Sequence, residues 1–439
     1  MKTIKLLSVL FLIMSFSTEA NAQLFKKLKN KIEKAAEETV IDKVEDKTRK
    51  ETGKAVDTLL NGKKRRTKKE TKNRKGEETE AGNSAAQQET LFEHYSKFDF
   101  VPGDEIKTYE DFSEDNIGDL PAHWNTSNSV EVVGLNIYEG NWAQLGLGKG
   151  SFVPDFMDDL PENFTLEYDL IIDYDIKMGG FKPVFFTTIS DLENPNYDLN
   201  DDTPGKNGAS FLIYGGVGDK GKIEFYKYAT DNNLNSRTEK DFSTLQYDSW
   251  TPTKIMHVSI WKQGKRLRVY LDEEKVFDLP RAFEDSNLAK SFRFFTNVPK
   301  DDIYYYLSNI RFAEGKSDIR SKLLEEGKLV TYGITFDTGS AVIKQESFGV
   351  LKEVASVLKS NKDLRVKVIG HTDAVGDTNN NLKLSQERAQ SVVNALTDYL
   401  KVPEAQLETE GKGETELLAE GNSPSDHAKN RRVEFNIIK

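Results

Sequence analysis

Residues 98–312 constrain the fold most, because they are written in short alternating runs whose period no helix matches. Phe164, Leu166, Tyr168, Leu170 and Ile172 fall at every second position, with Thr165, Glu167 and Asp169 between them and Asp173 just beyond. A strand turns successive side chains to opposite faces, so this spacing lines one side of a sheet with apolar groups. The same texture returns at residues 211–214, 223–228, 257–261, 267–271 and 292–296. Gln263-Gly264-Lys265 and Asp272-Glu273-Glu274 separate neighbouring runs with residue types that suit hairpin turns. Many short strands bounded by turns predict an all-β sandwich or barrel. Strands of a membrane barrel need about 9 to 11 residues with an apolar outer face. The runs here are mostly shorter and broken by charge, which favours a soluble sandwich over a porin-like barrel.

Beyond residue 331 the pattern changes. Gly333-Ile-Thr-Phe-Asp337 reads as a strand ending in the turn Asp337-Thr-Gly-Ser340, and Phe348, Leu351, Ala355 and Leu358 share one face of a helix over 346–360. Residues 365–369 form a second strand, and 433–438 a last one. Between them a helix over 385–400 turns Ala389, Val392, Val393, Leu396 and Tyr399 inward. Alternation of this kind predicts an α+β domain of βαβαβ type, with helices covering one face of a small sheet. Gly370 closes its second strand, Asp373 stands on the next loop, and Arg388 falls in the first turn of a helix starting near Ser385. A cation there opposes the helix dipole. A residue set against a local rule is a candidate for binding.

The chain has 439 residues, too many for one compact core, and is therefore multidomain. Charged residues make up 30% and the hydrophobic set only 37%, so part of the chain is solvated tail or linker. A net charge of -11 argues against nucleic acid as the main partner. There is no cysteine, which excludes disulfides, thiolate metal sites, a cysteine nucleophile and a lipidated N-terminal cysteine. Lys2 and Lys5 precede the apolar run 6–16, and Ala20-Asn21-Ala22 offers small residues for cleavage, so residues 1–22 read as a secretory signal peptide. In residues 23–97, Leu28, Ile32, Ala36, Val40 and Val44 form the stripe of an amphipathic helix. The basic run that opens with Lys63-Lys-Arg-Arg66 and closes at Lys75 follows, and then an acidic, small-residue stretch. This predicts a charged, partly disordered tether. The other reading is peripheral contact of residues 24–75 with an anionic membrane surface.

Three features of the middle region admit two readings each. The Asp-rich stretch 191–202 is either a calcium loop or an exposed acidic loop; it lacks the spacing of an EF-hand, and no metal is expected. Trp124, Trp142, Trp250 and Trp261 are either a platform for sugar rings or core, and alternating strands favour core. Glu167 and Asp169 share a strand face, as the carboxylates of a glycosidase do and as any exposed face also does.

Leu120-Pro-Ala-His-Trp124, Leu160-Pro-Glu-Asn-Phe-Thr-Leu-Glu-Tyr-Asp169, His257-Val-Ser-Ile-Trp261 and Arg268-Val-Tyr-Leu-Asp272 make residues 98–315 resemble a concanavalin-like or laminin-G-like jelly roll. Such folds host lectins, hydrolases and plain interaction modules, so the likeness fixes no function. Over residues 328–439 the motifs are Ile334-Thr-Phe-Asp-Thr-Gly-Ser-Ala341, Gly370-His-Thr-Asp373, Gly376, Asn381-Leu-Lys-Leu-Ser385, Arg388-Ala389, Gly411-Lys-Gly413 and Asn430-Arg-Arg-Val433. In order and spacing they resemble the OmpA C-terminal domain family. The resemblance implies non-covalent binding of peptidoglycan through the diaminopimelate of its stem peptide, with Asp373 and Arg388 as the gripping pair. It further implies lining roles for Asp337, Thr372, Asn381, Arg431 and Arg432, and leaves His371 a structural loop residue. The chemistry is consistent: an Asp takes the ammonium of that zwitterion, an Arg fork its carboxylate, and a helix N-terminus near Ser385 adds N–H donors.

The expectation is an exported, non-catalytic, cofactor-free protein of the periplasm or outer membrane of a Gram-negative-type envelope. It binds the wall through its last domain and presents the sandwich to a glycan or another envelope protein. The rivals are a glycan-degrading enzyme localised by that domain, and a porin.

Overall fold

The computed structural model describes residues 98–438 except 147, 156–159, 174–183, 203, 215–220, 230–232, 243–253, 299–303 and 316–317. The expected signal peptide, amphipathic stripe and basic tether, and Trp250, lie outside the described residues. Everything described belongs to one compact unit.

The alternating runs form two antiparallel sheets. The first contains β1 (Glu105–Glu110), β3 (Val130–Gly134), β4 (Asn141–Leu145), β6 (Asn163–Asp173), β11 (Ile255–Gln263), β12 (Arg266–Leu271), β13 (Glu274–Leu279) and β15 (Tyr304–Glu314). Its order is β13-β12-β11-β6-β15-β4-β3, with β1 paired to β15. The second contains β2 (Trp124–Thr126), β5 (Gly148–Pro154), β7 (Val184–Ser190), β8 (Gly208–Tyr214), β9 (Gly221–Ala229), β10 (Asn233–Phe242) and β14 (Ser291–Val298), in the order β10-β9-β8-β7-β14-β5-β2. Each sheet has two free ends, so the strands make an open sandwich and not the closed ring of a porin. Between the sheets lie Phe164, Leu166, Tyr168, Leu170 and Ile172, the row that the alternation assigned to one face. Tyr168 meets Phe294 edge-on at 5.1 Å, and its buried hydroxyl pairs with Thr187 Oγ1 at 2.7 Å. Trp124 stacks on Phe294 in the same core, and Trp142 and Trp261 are also buried, so these three form no open sugar platform.

The stretch 191–202 is built around a cation already in the chain. The buried guanidinium of Arg293 donates to the carbonyls of Asp198 at 2.8 Å, Tyr197 at 2.9 Å and Pro195 at 3.1 Å. Among the described residues no group of three or more His, Asp or Glu is placed to hold a metal.

The C-terminal part is a four-stranded sheet in the order β16-β19-β17-β18, from β16 (Lys328–Thr331), β17 (Arg365–His371), β18 (Leu407–Gly413) and β19 (Val433–Ile438). Helices α1 (Phe348–Ser360), α2 (Thr378–Asn394) and α3 (Pro424–Asn430) alternate with these strands. Two expectations change. The first strand is Lys328–Thr331, whereas residues 333–337 form only an isolated bridge, Phe336 to Ile343, around the turn at Asp337. Helix α2 starts at Thr378, because the side chain of Asp377 accepts the Asn380 N–H and caps it there. Arg388 is therefore two turns further in, and neither the dipole argument nor an N-terminal donor group at Ser385 applies to it. No described helix is long and apolar enough to cross a membrane.

The middle of the outer side of the first sheet is not solvated. Thr165 and Glu167 are at most 1% exposed: the Gly103 N–H donates to Thr165 Oγ1 at 2.9 Å, and the Arg311 guanidinium lies on Glu167. Phe98, Phe100 and Val101, with Trp261 and Tyr270 from the sheet's outer side, join the same apolar cluster as Leu351, Val354 and Phe435. Gly349 of α1 has no room for a side chain, since a Cβ there would sit 1.9 Å from the carbonyl oxygen of Phe100. The charges trapped at this junction are paired. Arg311 lays its fork on Glu167 with bonds of 2.7 to 2.9 Å and gives its third group to the Tyr332 carbonyl. His257 bonds Asp169 at 2.7 Å and faces Glu167 at 3.4 Å. Burial opposes its charge, but the two carboxylates raise its pKa well above the usual imidazole range. Glu167 and Asp169 are thus both committed to cations of the sandwich itself.

Candidate functional site

The site is built where α2 crosses the carboxyl ends of β17 and β18. The crossing is close: a Cβ on Gly370 would lie 2.2 Å from the Ser385 carbonyl, and one on Gly411 2.4 Å from the Gln386 nitrogen. Ser385 Oγ accepts the Gly413 N–H at 2.8 Å and fastens the helix to the strand end. The loop after β17 is folded over Asn381. Its amide donates to the carbonyls of Asp373 (3.4 Å) and Val375 (3.1 Å) and to Glu414 (2.6 Å). Asn381 is therefore the brace of the loop, and Thr372 is buried beside it with its N–H on the Gly413 carbonyl.

Asp373 is partly exposed on this loop. Its Oδ2 accepts from Arg431 Nη1 at 2.8 Å, while among the described residues Oδ1 receives only the Val375 N–H at 3.3 Å. Arg388 reaches the same region from the middle of α2. It is 9% exposed, its guanidinium carbon lies 4.9 Å from the centre of the Phe336 ring, and Nε donates to the Ser340 carbonyl at 3.0 Å. No carboxylate forms an ion pair with Arg388 among the described residues. Burial, and then the charge of Arg431, push its pKa down to about 10 against the opposing pull of Asp373. Asp373 and Arg388 do not simply neutralise one another: the carboxylate belongs to Arg431, and a second guanidinium stands beside them.

The other expected lining residues separate. Arg432 is buried on Glu434 (2.9 Å) and the Glu416 carbonyl (2.9 Å), turned away from Asp373, since extended backbone sends neighbouring side chains to opposite sides. Glu434 also carries Lys328 at 2.7 Å and faces the buried His371 at 3.5 Å. Asp337 is exposed on the turn whose Ser340 carbonyl holds Arg388. It lines a cleft of about 310 Å³ together with Asp169, His257 and Glu273. Phe336, beneath Arg388, lies inside a recognisable motif, but Tyr109, whose ring lies 5.4 Å from the Arg431 guanidinium, carries no local signal because it sits on β1 of the sandwich.

This strand-loop-helix frame sets a partly exposed carboxylate beside a buried guanidinium. Residues 335–431 match the OmpA family, and the chain carries an OmpA family domain there. The probable lipoprotein YiaD of Escherichia coli (strain K12) is 38% identical over 104 residues, which is 24% of this chain and 47% of that protein. Peptidoglycan-binding protein ArfA of Mycobacterium bovis is 36% identical over 105 residues, 23% of this chain and 31% of its own length. The crystal structure of the peptidoglycan-associated lipoprotein from Burkholderia pseudomallei aligns at 30% identity over 26% of this chain and 92% of that one, with a TM-score of 0.23. The chain spans less than half the length of these two curated relatives.

Proposed function

We propose that this is an exported cell-envelope protein that binds peptidoglycan non-covalently through its C-terminal domain, gripping the zwitterionic end of diaminopimelate in the stem peptide. One observation carries the reading: Arg388 is nine-tenths buried and lacks an ion-pair partner among the described residues. A buried cation without its counter-charge is costly, and a ligand carboxylate removes that cost while taking two parallel bonds from the fork. Arg431 occupies one oxygen of Asp373 and orients the other toward an ammonium group. Two guanidinium groups and one carboxylate leave one positive charge, which suits a ligand whose carboxylate goes deepest. The name of ArfA, a peptidoglycan-binding protein, is in keeping with this. Each charge-assisted bond contributes about 1.5 to 3 kcal/mol, so a single site is modest, and the many copies of the ligand on one polymer raise the apparent affinity. The protein then works in the periplasm or at the outer membrane of a Gram-negative-type envelope, and the C-terminal domain acts without chemistry.

The test is retention of the full chain on purified diaminopimelate-type sacculi. Asp373→Ala and Arg388→Met each weaken retention about tenfold or more. Arg388→Met also raises the urea midpoint, because it removes a buried unpaired charge while keeping contact with Phe336. Two variants that bind as well as the parent would overturn the assignment.

A further inference from the structure

Strand β1 is the part of the sandwich that reaches the binding domain. The Tyr109 N–H donates to Ser425 Oγ at 2.8 Å, and the Ser425 hydroxyl reaches back to the Tyr109 carbonyl at 3.3 Å. One serine of α3 thus closes two bonds on one residue of the sandwich. The same helix ends at Arg431, whose N–H is bonded to the His427 carbonyl. The face of the Tyr109 ring lies 5.4 Å from the Arg431 guanidinium carbon. The ring is fixed from its far end, since its hydroxyl donates to Asn309 Oδ1 at 2.8 Å. Asn309 sits at a bulge of β15 in a left-handed conformation (φ 52°), and donates to Asp169 at 2.8 Å.

We propose that the sandwich completes the wall-binding site: Tyr109 is a positioning residue that holds the Arg431 fork over Asp373 and so presets the carboxylate for its ligand. The inference rests on the reading of Asp373 and Arg388 given above. The Arg431 side chain is 37% exposed and stands beside a second guanidinium, so without a fixed ring face beneath it the fork has both the freedom and the repulsion to leave Asp373. A ring that holds a cation in place before the ligand arrives lowers the ordering cost of binding. The OmpA family domain then depends for affinity on a residue far outside the matched segment 335–431.

The experiment compares full-length variants on the same sacculi and with a soluble diaminopimelate-containing tripeptide. Tyr109→Leu weakens binding about two- to five-fold, the worth of one cation–π contact. Tyr109→Phe keeps the ring face but frees its far end from Asn309, so its binding falls between that of Tyr109→Leu and the parent. In an Arg431→Ala background Tyr109→Leu causes no further loss, which a merely structural role would not produce. Ser425→Ala keeps every ring but removes the two bonds that seat Tyr109 against α3, and so also weakens binding; it decides the matter if Tyr109→Leu does not fold. Parent-like binding by Tyr109→Leu, or by Ser425→Ala, or an equal loss with and without Arg431, overturns the proposal. If Asp373→Ala loses binding in that assay while the Tyr109 and Ser425 variants do not, only this inference fails. If Asp373→Ala also binds normally, the wall-binding reading fails with it.

Discussion

Behind the loop that carries Asp373, the His371 imidazole is 2% exposed and lies 3.5 Å from Glu434. Burial, and then the neighbouring Arg432 charge, lower its pKa from the ordinary 6.5 to about 4. A histidine depressed on folding binds its proton more tightly in the unfolded chain, so stability rises with pH between those two values. This contribution is complete above about 6.5 and is lost as the pH falls toward about 4. We expect His371→Leu to flatten that part of the stability profile, read as urea midpoints across the window; an unchanged slope counts against it. The sequence motif singles out Asp373 and Arg388, and in the fold the charge of Asp373 acts on Arg388. It does not tell which of two consecutive arginines meets Asp373. That depends on the turn the backbone takes at the end of α3, 58 positions from Asp373 in the chain.

At the scale of elements, apolar periodicity marks the helix over Phe348–Ser360 and the strands β6, β11, β12 and β17, because each has one face in the core. It misses the first two turns of α2, since Thr378-Asn-Asn-Asn381 is polar and carries no apolar row. It also misses β18, Leu-Glu-Thr-Glu-Gly-Lys-Gly, which is poor in strand-forming types. That segment is a strand because it pairs in parallel with β17 and because its glycines let α2 lie directly on it. The third helix opens on Ser423-Pro-Ser-Asp426, a capping box closed by reciprocal bonds. These close crossings set the distance between loop and helix. We therefore predict that Gly370→Ala, which brings a methyl onto the Ser385 carbonyl, costs about 1 to 3 kcal/mol of stability, as overpacking does, measured by urea unfolding.

For the whole molecule, the sandwich and the C-terminal sheet share an apolar junction. Phe100 is 1% exposed at its centre, edge-on to Trp261 at 6.0 Å and to Tyr270 at 5.4 Å. Phe100→Ala should cost about 3 to 5 kcal/mol, and calorimetry should resolve one transition in the parent and two in the variant. A single transition in both would mean that another contact couples the two parts. Nothing in an alternating strand tells whether its second face meets water or another part of the chain. That face carries Glu167 and His257, whose charges read as solvated until Arg311 and Asp169 are seen to cancel them.

The pairing of β1 with β15 runs side by side from Glu105 opposite Glu314 to Glu110 opposite Ile310. If Asp373 is the point of attachment to the wall, tension enters the protein there, passes through Arg431 and α3 to Ser425, and arrives at Tyr109 near one end of that ladder. A load directed along β1 pulls on all of its hydrogen bonds in shear instead of opening them one by one.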